Sequence, residues 1–173
     1  WNVNGIRARQ AQVQEWMDAQ RPDIVCLQEI KAAPAQLPVW LCELEGYWCY
    51  WHGGKGYSGV GLHVSKTFSP ERPVFEHPAF DYENRIAVVR LPVMTVASVY
   101  VPNGGKDFPA KMRFMESLQQ FAADLEAAGL LRSPAVRTRI RLAAAWWFGV
   151  RRRSAHAARG RSARRSPGRG SPR

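Results

Sequence analysis

A carboxylate and an amide follow a short apolar run at Gln28-Glu29, within the segment 22–31. The run 24–27 comes after a Pro-Asp turn and is typical of a buried strand. Open α/β sheets bind ligands at the carboxyl ends of their strands, and a carboxylate there is a hard oxygen ligand that suits Mg²⁺. The alternative is an ordinary strand followed by a solvated polar turn. Glu29 is therefore a candidate metal ligand, and the surface turn remains the simpler interpretation.

Apolar spacing predicts the secondary structure that must position this carboxylate. Over residues 9–20, apolar side chains three and four positions apart indicate one face of a helix. The other predicted elements are a short helix over 40–45, a hairpin of 47–51 and 60–64, strands over 85–91 and 96–101, and an amphipathic helix from Met112 to near Gly129. This order predicts an α/β fold, the N-terminal half of a four-layer sandwich in which two packed mixed sheets are flanked by helices.

The first residues of the chain contain two further polar candidates. The sequence begins at Trp1, with no initiator methionine or targeting segment, so we expect part of a first strand to be missing. Asn2 and Asn4 would then lie just after that strand. An asparagine near a strand end is commonly only a turn former, and it is the expected proximity of Glu29 that favours a functional role.

The positive charge of the chain is confined to its last quarter. The 173 residues carry a formal net charge of +11, yet residues 1–131 hold 12 Lys+Arg against 14 Asp+Glu, whereas residues 132–173 hold 13 Arg and no Lys, Asp or Glu. We therefore divide the chain into a domain over 1–131 and an Arg-rich tail over 132–173. Arginine repulsion and scarce apolar residues predict that the tail has no compact fold, and no strand is predicted after the long helix.

Two origins of this tail are considered. One hypothesis is a shifted reading frame near Leu130 in a GC-rich gene, because out-of-frame GC-rich codons favour Arg, Ala, Gly, Pro and Ser. The other is an authentic basic arm that binds nucleic acid by neutralising phosphates. The absence of lysine in 132–173 favours the frameshift.

Cysteine and hydropathy patterns narrow the cellular setting. Cys26, Cys42 and Cys49 are an odd number among apolar or aromatic neighbours, which suits reduced thiols of a cytoplasmic protein better than a disulfide framework. No segment reaches the roughly 18 apolar residues that a membrane span requires. We therefore expect a cytoplasmic protein with no membrane partner.

Four segments resemble motifs of one known family, in that family's order. They are the opening segment 1–9, the segment 22–31 with its Gln-Glu pair, Gly-Tyr-Ser-Gly-Val-Gly-Leu at 56–62, and Tyr-Val-Pro-Asn at 100–103. Together they resemble the exodeoxyribonuclease III branch, which includes the class II AP endonucleases, of the endonuclease/exonuclease/phosphatase family. The resemblance covers residues 1 to about 130 and stops abruptly there.

This resemblance implies roles for three residues near the metal. Glu29 would bind Mg²⁺ directly, with Mn²⁺ as the alternative ion, and Asn2 would support the metal and the hydrogen bonds of the active site. Asn4 is a more distant candidate for the same support. Tyr100 matches the family's catalytic tyrosine, whose hydroxyl donates to the scissile phosphate or acts on it as a phenolate. The structural alternative for Tyr100 is a strand aromatic that fills the core.

The resemblance also implies a set of DNA contacts. Arg85 matches a phosphate-binding arginine, whose planar fork of donors suits two phosphate oxygens, although a solubilising charge at a strand edge is the alternative. Gly56 and Tyr57 would lie against the DNA backbone, where a glycine permits close approach. Asn103 would add a phosphate contact. Arg7 and Lys31 are weaker candidates because exposed basic residues are common.

Two motifs of the resembled family are missing from these 173 residues. Neither its Gly-Asp-x-Asn motif, which orients the water and holds the phosphate, nor its terminal Ser-Asp-His occurs. None of the four histidines, His52, His63, His77 and His156, follows a Ser-Asp pair, so none takes the family's catalytic role. Residues that act as one unit lose most of their rate when any member is removed. We therefore expect negligible catalysis from the sequence as it stands.

The sequence thus predicts a lineage more firmly than an activity. The predicted lineage is a Mg²⁺-dependent nuclease of DNA repair, a monomer that cleaves double-stranded DNA at abasic sites and degrades 3′ ends. Lipid and inositol-phosphate phosphodiesterases share the Gln-Glu motif, but the segments at 56–62 and 100–103 favour the DNA branch. A non-catalytic nucleic-acid-binding protein that uses the basic tail remains the alternative from another class.

Overall fold

The computed structural model describes residues 1–92, 94–132 and 139–144. Three helices and seven strands are found in this part of the chain. The helices are α1 (Gln10–Gln20), α2 (Val39–Cys42) and α3 (Phe108–Arg132). The strands are β1 (Ile24–Gln28), β2 (Tyr47–His52), β3 (Val60–Ser65), β4 (Val74–Glu76), β5 (Ile86–Arg90), β6 (Met94–Val99) and β7 (Arg139–Ala144).

The first sheet has the order β1-β3-β2 and is antiparallel throughout. β3 is its central strand, so that Leu62 lies between Cys26 on one side and Tyr50 on the other. Asn2 forms an isolated parallel bridge to Gln28 at the end of β1. The first residues of the chain therefore lie beside the carboxyl end of β1.

The second sheet has the order β4-β5-β6-β7 and is mixed. The β4–β5 and β5–β6 pairs are antiparallel, whereas β7 lies parallel to β6. A parallel neighbour requires a crossover connection, and α3 forms the helical part of it. The second sheet therefore contains one β-α-β unit at its β7 edge.

Period-two alternation along the strands sends side chains into two different cores. On β5, Ala87 and Val89 face the first sheet and pack with Leu62 and Val64 of β3, forming the core between the sheets. Ile86 and Val88 point to the other face and pack with residues of α3. Each sheet is thus buried on both faces, which explains why these strands are apolar at nearly every position.

The helices cover the outer faces of the two sheets. Val13 and Met17 of α1 are buried against β1 residues of the first sheet, and Leu118 of α3 is buried against the second. The four layers are therefore helices, first sheet, second sheet and helix, and the prediction of a four-layer α/β arrangement is confirmed.

Several elements differ from the sequence prediction in extent. α3 begins at Phe108 and passes through Gly129 to Arg132, because one glycine costs only about 1 kcal/mol in a helix whose neighbours are strong helix formers. β4 is not predicted from the sequence, since three residues are too few to show an alternating pattern. Trp16 lies on the predicted apolar face of α1 but is 37% exposed, and it packs edge-on against Trp1.

The expectation that no strand follows the long helix is wrong. β7 lies inside the segment 132–173 and pairs with β6 along its whole length. Its sequence alternates arginine with Ile140 and Leu142, a strand pattern that the arginine-rich composition obscured. The remainder of the tail, over 133–138 and 145–173, lies outside the described residues, so its predicted lack of a compact fold stays a prediction.

Two smaller expectations concern cysteines and membranes. Within the described residues, all three cysteines are free, as the sequence predicted. No helix in that same part of the chain has both the length and the apolar character needed to cross a membrane.

Replacing Leu62 by alanine tests the core between the sheets. Leu62 is fully buried on the central strand, so we expect a loss of about 2–5 kcal/mol in the free energy of unfolding. Val74→Ala is the control, because Val74 is 64% exposed on β4 and its truncation should cost less than about 0.5 kcal/mol. Urea unfolding followed by circular dichroism measures both, and equal losses would contradict the layered packing.

Candidate active site

Glu29 follows β1 in a strained backbone conformation. Its φ angle is +53° and that of Lys31 is +52°, in the left-handed region that residues other than glycine rarely adopt. Backbone hydrogen bonds hold this turn on both sides, from Gly5 N to the Glu29 carbonyl (2.8 Å) and from Lys31 N to the Ser58 carbonyl (2.9 Å). Such strain persists only where surrounding structure fixes it, and it occurs frequently at functional sites.

Three side chains donate hydrogen bonds to the Glu29 carboxylate. Asn2 Nδ2 lies 2.8 Å from Oε1, Lys31 Nζ lies 3.1 Å from Oε2, and the Tyr100 hydroxyl donates a third bond. Burial alone would raise the pKa of the Glu29 carboxyl, but these bonds outweigh burial and hold the pKa below its ordinary value. Glu29 is therefore ionised at neutral pH.

The chain start is tied to the Glu29 turn by backbone and side-chain bonds. Val3 N donates to the Gln28 carbonyl at 2.9 Å, which fixes Asn2 beside the end of β1. The Asn2 amide uses both of its ends, because its oxygen accepts a bond from Asn4 N at 3.1 Å. The side chain of Asn4 in turn accepts a bond from Lys31 Nζ. The four polar residues therefore form one connected network.

Tyr100 stands directly after β6 and faces the network from the second sheet. Its backbone N–H donates to the Arg85 carbonyl at 2.8 Å. Burial, followed by the hydrogen bond to Glu29 and the negative charge of Glu29, raises the pKa of the Tyr100 hydroxyl to about 12. Of the two forms considered from the sequence, the structure thus favours the neutral phenol, a donor, over the phenolate.

Arg85 is a buried guanidinium in contact with both site tyrosines. It is 3% exposed, and its planar group lies 4.9 Å from the Tyr100 ring centroid and 5.3 Å from that of Tyr57. It donates to the Tyr57 hydroxyl at 2.5 Å and to the Glu83 carboxylate at 2.6 Å. The alternative of a solubilising charge at a strand edge does not apply to a guanidinium that is buried in this way.

A cavity of about 700 Å³ opens beside these residues. Four of the residues singled out from the sequence line it, namely Tyr57, Arg85, Tyr100 and Asn103. Together with the Glu29 bonds, this confirms the expectation that Glu29, Asn2 and Tyr100 converge at one end of the sheets. Their chemical roles stay predictions.

The weaker candidates lie at the margin of this arrangement. Lys31 belongs to the Glu29 network, as described above. Gly56 has a φ angle of +77° with open space around the position of a Cβ, so its exposed loop requires glycine for conformation and not for packing. Arg7 is exposed on the 3₁₀ turn Ile6–Ala8, and no hydrogen bond or ion pair joins it to the described residues of the site.

Sequence reasoning missed Asp81, which fixes the loop before Arg85. Its buried carboxylate accepts bonds from the backbone N–H groups of Arg85 (2.8 Å) and Ile86 (2.8 Å) and from His52 Nε2 (3.0 Å). Burial alone would raise the pKa of the Asp81 carboxyl, but the bonds from His52, Arg85 and Ile86 hold that pKa below its ordinary value. The available sequence signal was an aspartate at the head of a polar turn that leads into an apolar strand.

The donor set near Glu29 suits a weakly held Mg²⁺. In proteins this ion is commonly bound by one or two carboxylates, with water and substrate phosphates completing its coordination. Glu29 is ionised and only partly buried, and the Asn2 amide directs its nitrogen to Glu29 and its oxygen to Asn4 N. No group of three or more His, Cys, Asp or Glu that could enclose a metal occurs among the described residues. The fit is therefore to an open site with few protein ligands.

Fold and site together define a class of protein. The molecule is an α/β sandwich in which a carboxylate, a phenol and a buried arginine meet where strands β1 and β6 end. The chain belongs to the Endonuclease/Exonuclease/phosphatase family, whose sequence profile matches residues 1–164. This match extends past residue 130, where the resemblance was expected to stop.

Comparison with known proteins places the chain near DNA-processing members of that family. It is 35% identical over 130 residues to exodeoxyribonuclease III of Haemophilus influenzae, covering 70% of this chain and 49% of that protein. The solved structure of a 3′–5′ exonuclease from Neisseria meningitidis aligns with a TM-score of 0.67 at 27% identity, covering 83% of this chain and 55% of that one. A Neisseria 3′ phosphatase bound to a product DNA hairpin gives the same values. The chain thus spans about half the length of the relatives that it matches.

Asp81→Asn tests the loop that holds Arg85. At pH 7 we expect a loss of about 1–3 kcal/mol in unfolding free energy, because the charged carboxylate is lost and its buried donors, the backbone N–H groups of Arg85 and Ile86 and the His52 ring, are left with a weaker acceptor. The folded-state pKa of Asp81 is depressed, so its contribution is present above the ordinary value of 3.8 and is lost as pH falls through the folded value. The difference between wild type and variant should therefore shrink in acid.

Urea unfolding at neutral and acidic pH measures that difference. Asp124→Asn is the matched control, since Asp124 is exposed on α3 and bonds only a glutamine side chain among the described residues. A loss from Asp81→Asn that does not change with pH would contradict the ionised buried carboxylate.

Proposed function

We propose that these residues form part of the active site of a Mg²⁺-dependent phosphodiesterase that acts on DNA. The observation that carries the proposal is the contact of Asn2 and Tyr100 with one ionised carboxylate, that of Glu29, beside the cavity that Arg85 lines. Hydrolysis of a phosphodiester requires a group that binds the phosphoryl oxygens and groups that stabilise the charge developing there. Arg85 offers a guanidinium that can bind the phosphoryl oxygens, and Tyr100 offers a hydroxyl that can donate a hydrogen bond to the developing charge.

Arg85 is suited to bind the phosphate because its geometry is fixed in advance. The rings of Tyr57 and Tyr100 and the Glu83 carboxylate contact its planar group and hold it in place. A guanidinium that is already ordered loses little side-chain entropy when it binds two phosphate oxygens. Asn103, on the same cavity, adds an amide donor at the position where the sequence predicted a phosphate contact.

Tyr100 is suited to donate a hydrogen bond from its hydroxyl to the phosphate. Its raised pKa keeps the phenol protonated over the physiological range. In the structure this hydroxyl bonds Glu29, which directs it toward the carboxylate end of the site. A bound phosphate oxygen would compete for the same donor.

Glu29 and Asn2 are the residues that would hold Mg²⁺. When bound, this ion supplies Lewis-acid stabilisation of the charge on the phosphoryl and leaving oxygens. Lys31 forms an ion pair with the second carboxylate oxygen of Glu29. This pair offsets the negative charge of Glu29 when no substrate is bound. Mn²⁺, which accepts the same oxygen ligands, is the alternative ion.

The relatives favour DNA as the substrate. They include an exodeoxyribonuclease, a 3′–5′ exonuclease and a 3′ phosphatase bound to a DNA hairpin. We propose abasic sites and 3′ ends of double-stranded DNA as targets in repair, and a monomeric, cytoplasmic protein. Neither Gly-Asp-x-Asn nor Ser-Asp-His occurs in the 173 residues, and we propose that they are inactive by themselves because no other residue orients the attacking water.

An incision assay tests whether the 173-residue chain is inactive by itself. The 173-residue chain, incubated with an abasic-site duplex and Mg²⁺, should give no product above the level of Glu29→Ala, because positioning by Glu29 and Arg85 without a water-orienting group leaves most of the barrier in place. Exodeoxyribonuclease III of Haemophilus influenzae is the positive control, and circular dichroism verifies that both chains are folded. Mg²⁺-dependent incision that Glu29→Ala abolishes would show that the missing motifs are dispensable.

A second function, non-catalytic binding of nucleic acid, is favoured by the composition of the tail. Deleting residues 151–173 removes nine arginines and leaves β7 intact. Because arginines that contact phosphates release counterions, we expect the affinity of the full chain for duplex DNA to fall steeply with salt and that of the shortened chain to fall much less. Fluorescence anisotropy over a salt series measures both slopes. Equal slopes would exclude a role of the tail in binding.

A further inference from the structure

Tyr82 is the most exposed large hydrophobic side chain found in the described residues. It is 89% exposed, and no hydrogen bond or ring contact joins it to any described side chain. By contrast, the ring of Phe80, two residues earlier, packs edge-on against Phe114 and Phe121 of α3. A single exposed ring is ordinary on a protein surface, so the surroundings of Tyr82 decide whether it has a role.

The backbone that carries Tyr82 is fixed on both sides. Asp81 is held by His52 and by the start of β5, and its backbone N–H donates to the Pro78 carbonyl at 3.0 Å. The carbonyl of Glu83 accepts a hydrogen bond from the Ser58 hydroxyl. The ring is therefore presented to solvent from an anchored loop and not from a free one.

Tyr82 also lines the same cavity as Arg85 and Tyr100. Two further cations, Lys106 and Arg113, line this cavity and have exposed side chains. A flat, solvent-exposed ring beside cations that can bind phosphate is the combination by which proteins bind single-stranded nucleic acid. A nucleobase is joined to its phosphate through one sugar, so a phosphate at Arg85 would bring a neighbouring base to the rim of the cavity.

We propose that Tyr82 is a stacking surface for an unpaired nucleobase next to the phosphate bound at Arg85. The proposal rests on the proposed function, in which this cavity binds the DNA backbone, and it adds a preference. A base within a fully paired end is already stacked on its neighbours, whereas a base in a frayed or mismatched 3′ end is free to stack on the ring. DNA with an unpaired 3′ end therefore binds more tightly than the same DNA with a paired end.

The test compares two duplexes of equal length and charge, one fully paired and one with terminal mismatches at the 3′ end. Equal numbers of phosphates cancel the contribution of the Arg-rich tail, so the ratio of the two affinities reports on the unpaired base. By fluorescence anisotropy with the full chain, Tyr82→Ala should weaken binding of the mismatched duplex about tenfold and that of the paired duplex less than about twofold. Tyr82→Phe keeps the ring and should retain the preference.

Phe68→Ala is the matched control, because Phe68 is an aromatic residue, 38% exposed, in the turn after β3 and away from the strand end that carries the site. It should change neither affinity. In a second measurement, 5-iodouracil at the mismatched end should crosslink to Tyr82, as located by mass spectrometry of the digested complex. A preference that survives Tyr82→Ala, or crosslinks found only in residues 132–173, would overturn the proposal.

Failure of the stacking proposal and failure of the proposed function give different results. Arg85→Lys keeps the charge but loses the fork of donors, so it should weaken both duplexes alike if the cavity binds the backbone. No effect of Arg85→Lys on either duplex would overturn the proposed function. The response to Tyr82→Ala still decides the stacking proposal, because it is read from the ratio of the two duplexes.

Discussion

A polar link between the two sheets is the interaction on which the site depends. Gln28, the last residue of β1, donates from Nε2 to Ser98 Oγ of β6 at 3.2 Å, and Ser98 donates onward to the Leu27 carbonyl at 3.1 Å. Both side chains are buried, and the surrounding core between the sheets is otherwise apolar, so these bonds fix the position of β1 relative to β6. Glu29 follows β1 and Tyr100 follows β6, and the link therefore brings the carboxylate and the phenol to one place.

The electrostatics of the site follow from this fixed geometry. An ionised Glu29 lies at the edge of two buried sheets because Asn2, Lys31 and Tyr100 each donate a hydrogen bond to it. Burial, together with the same carboxylate, raises the pKa of Tyr100 and keeps it protonated, while Arg85 lies against the Tyr100 ring. Each charge already has a partner, Lys31 for Glu29 and Glu83 for Arg85, so a ligand that binds at this site must compete with these ion pairs.

The layers of the fold could be predicted from the sequence because each strand is short, apolar and bounded by turn residues. Glu29 was found from its place after a predicted strand, Asn2 from its expected proximity to Glu29, and Tyr100 from its match to a motif of the resembled family. Asp81 and the Gln28–Ser98 link were not found, because their partners lie in other elements and no local pattern encodes those contacts. β7 was missed for a different reason: arginine-rich composition was given more weight than the alternation of Ile140 and Leu142.

The central claim, that Glu29 with Asn2 forms a divalent-cation site at the junction of β1 and β6, can be measured without catalysis. Mn²⁺ added to the isotope-labelled chain broadens the NMR signals of nearby nuclei through its unpaired electrons. The account predicts that the amide signals of Asn2, Glu29 and Tyr100 broaden first, and that Glu29→Gln, which removes the charge but keeps the shape, prevents this. Early broadening at other residues, or broadening that Glu29→Gln leaves unchanged, would contradict the account.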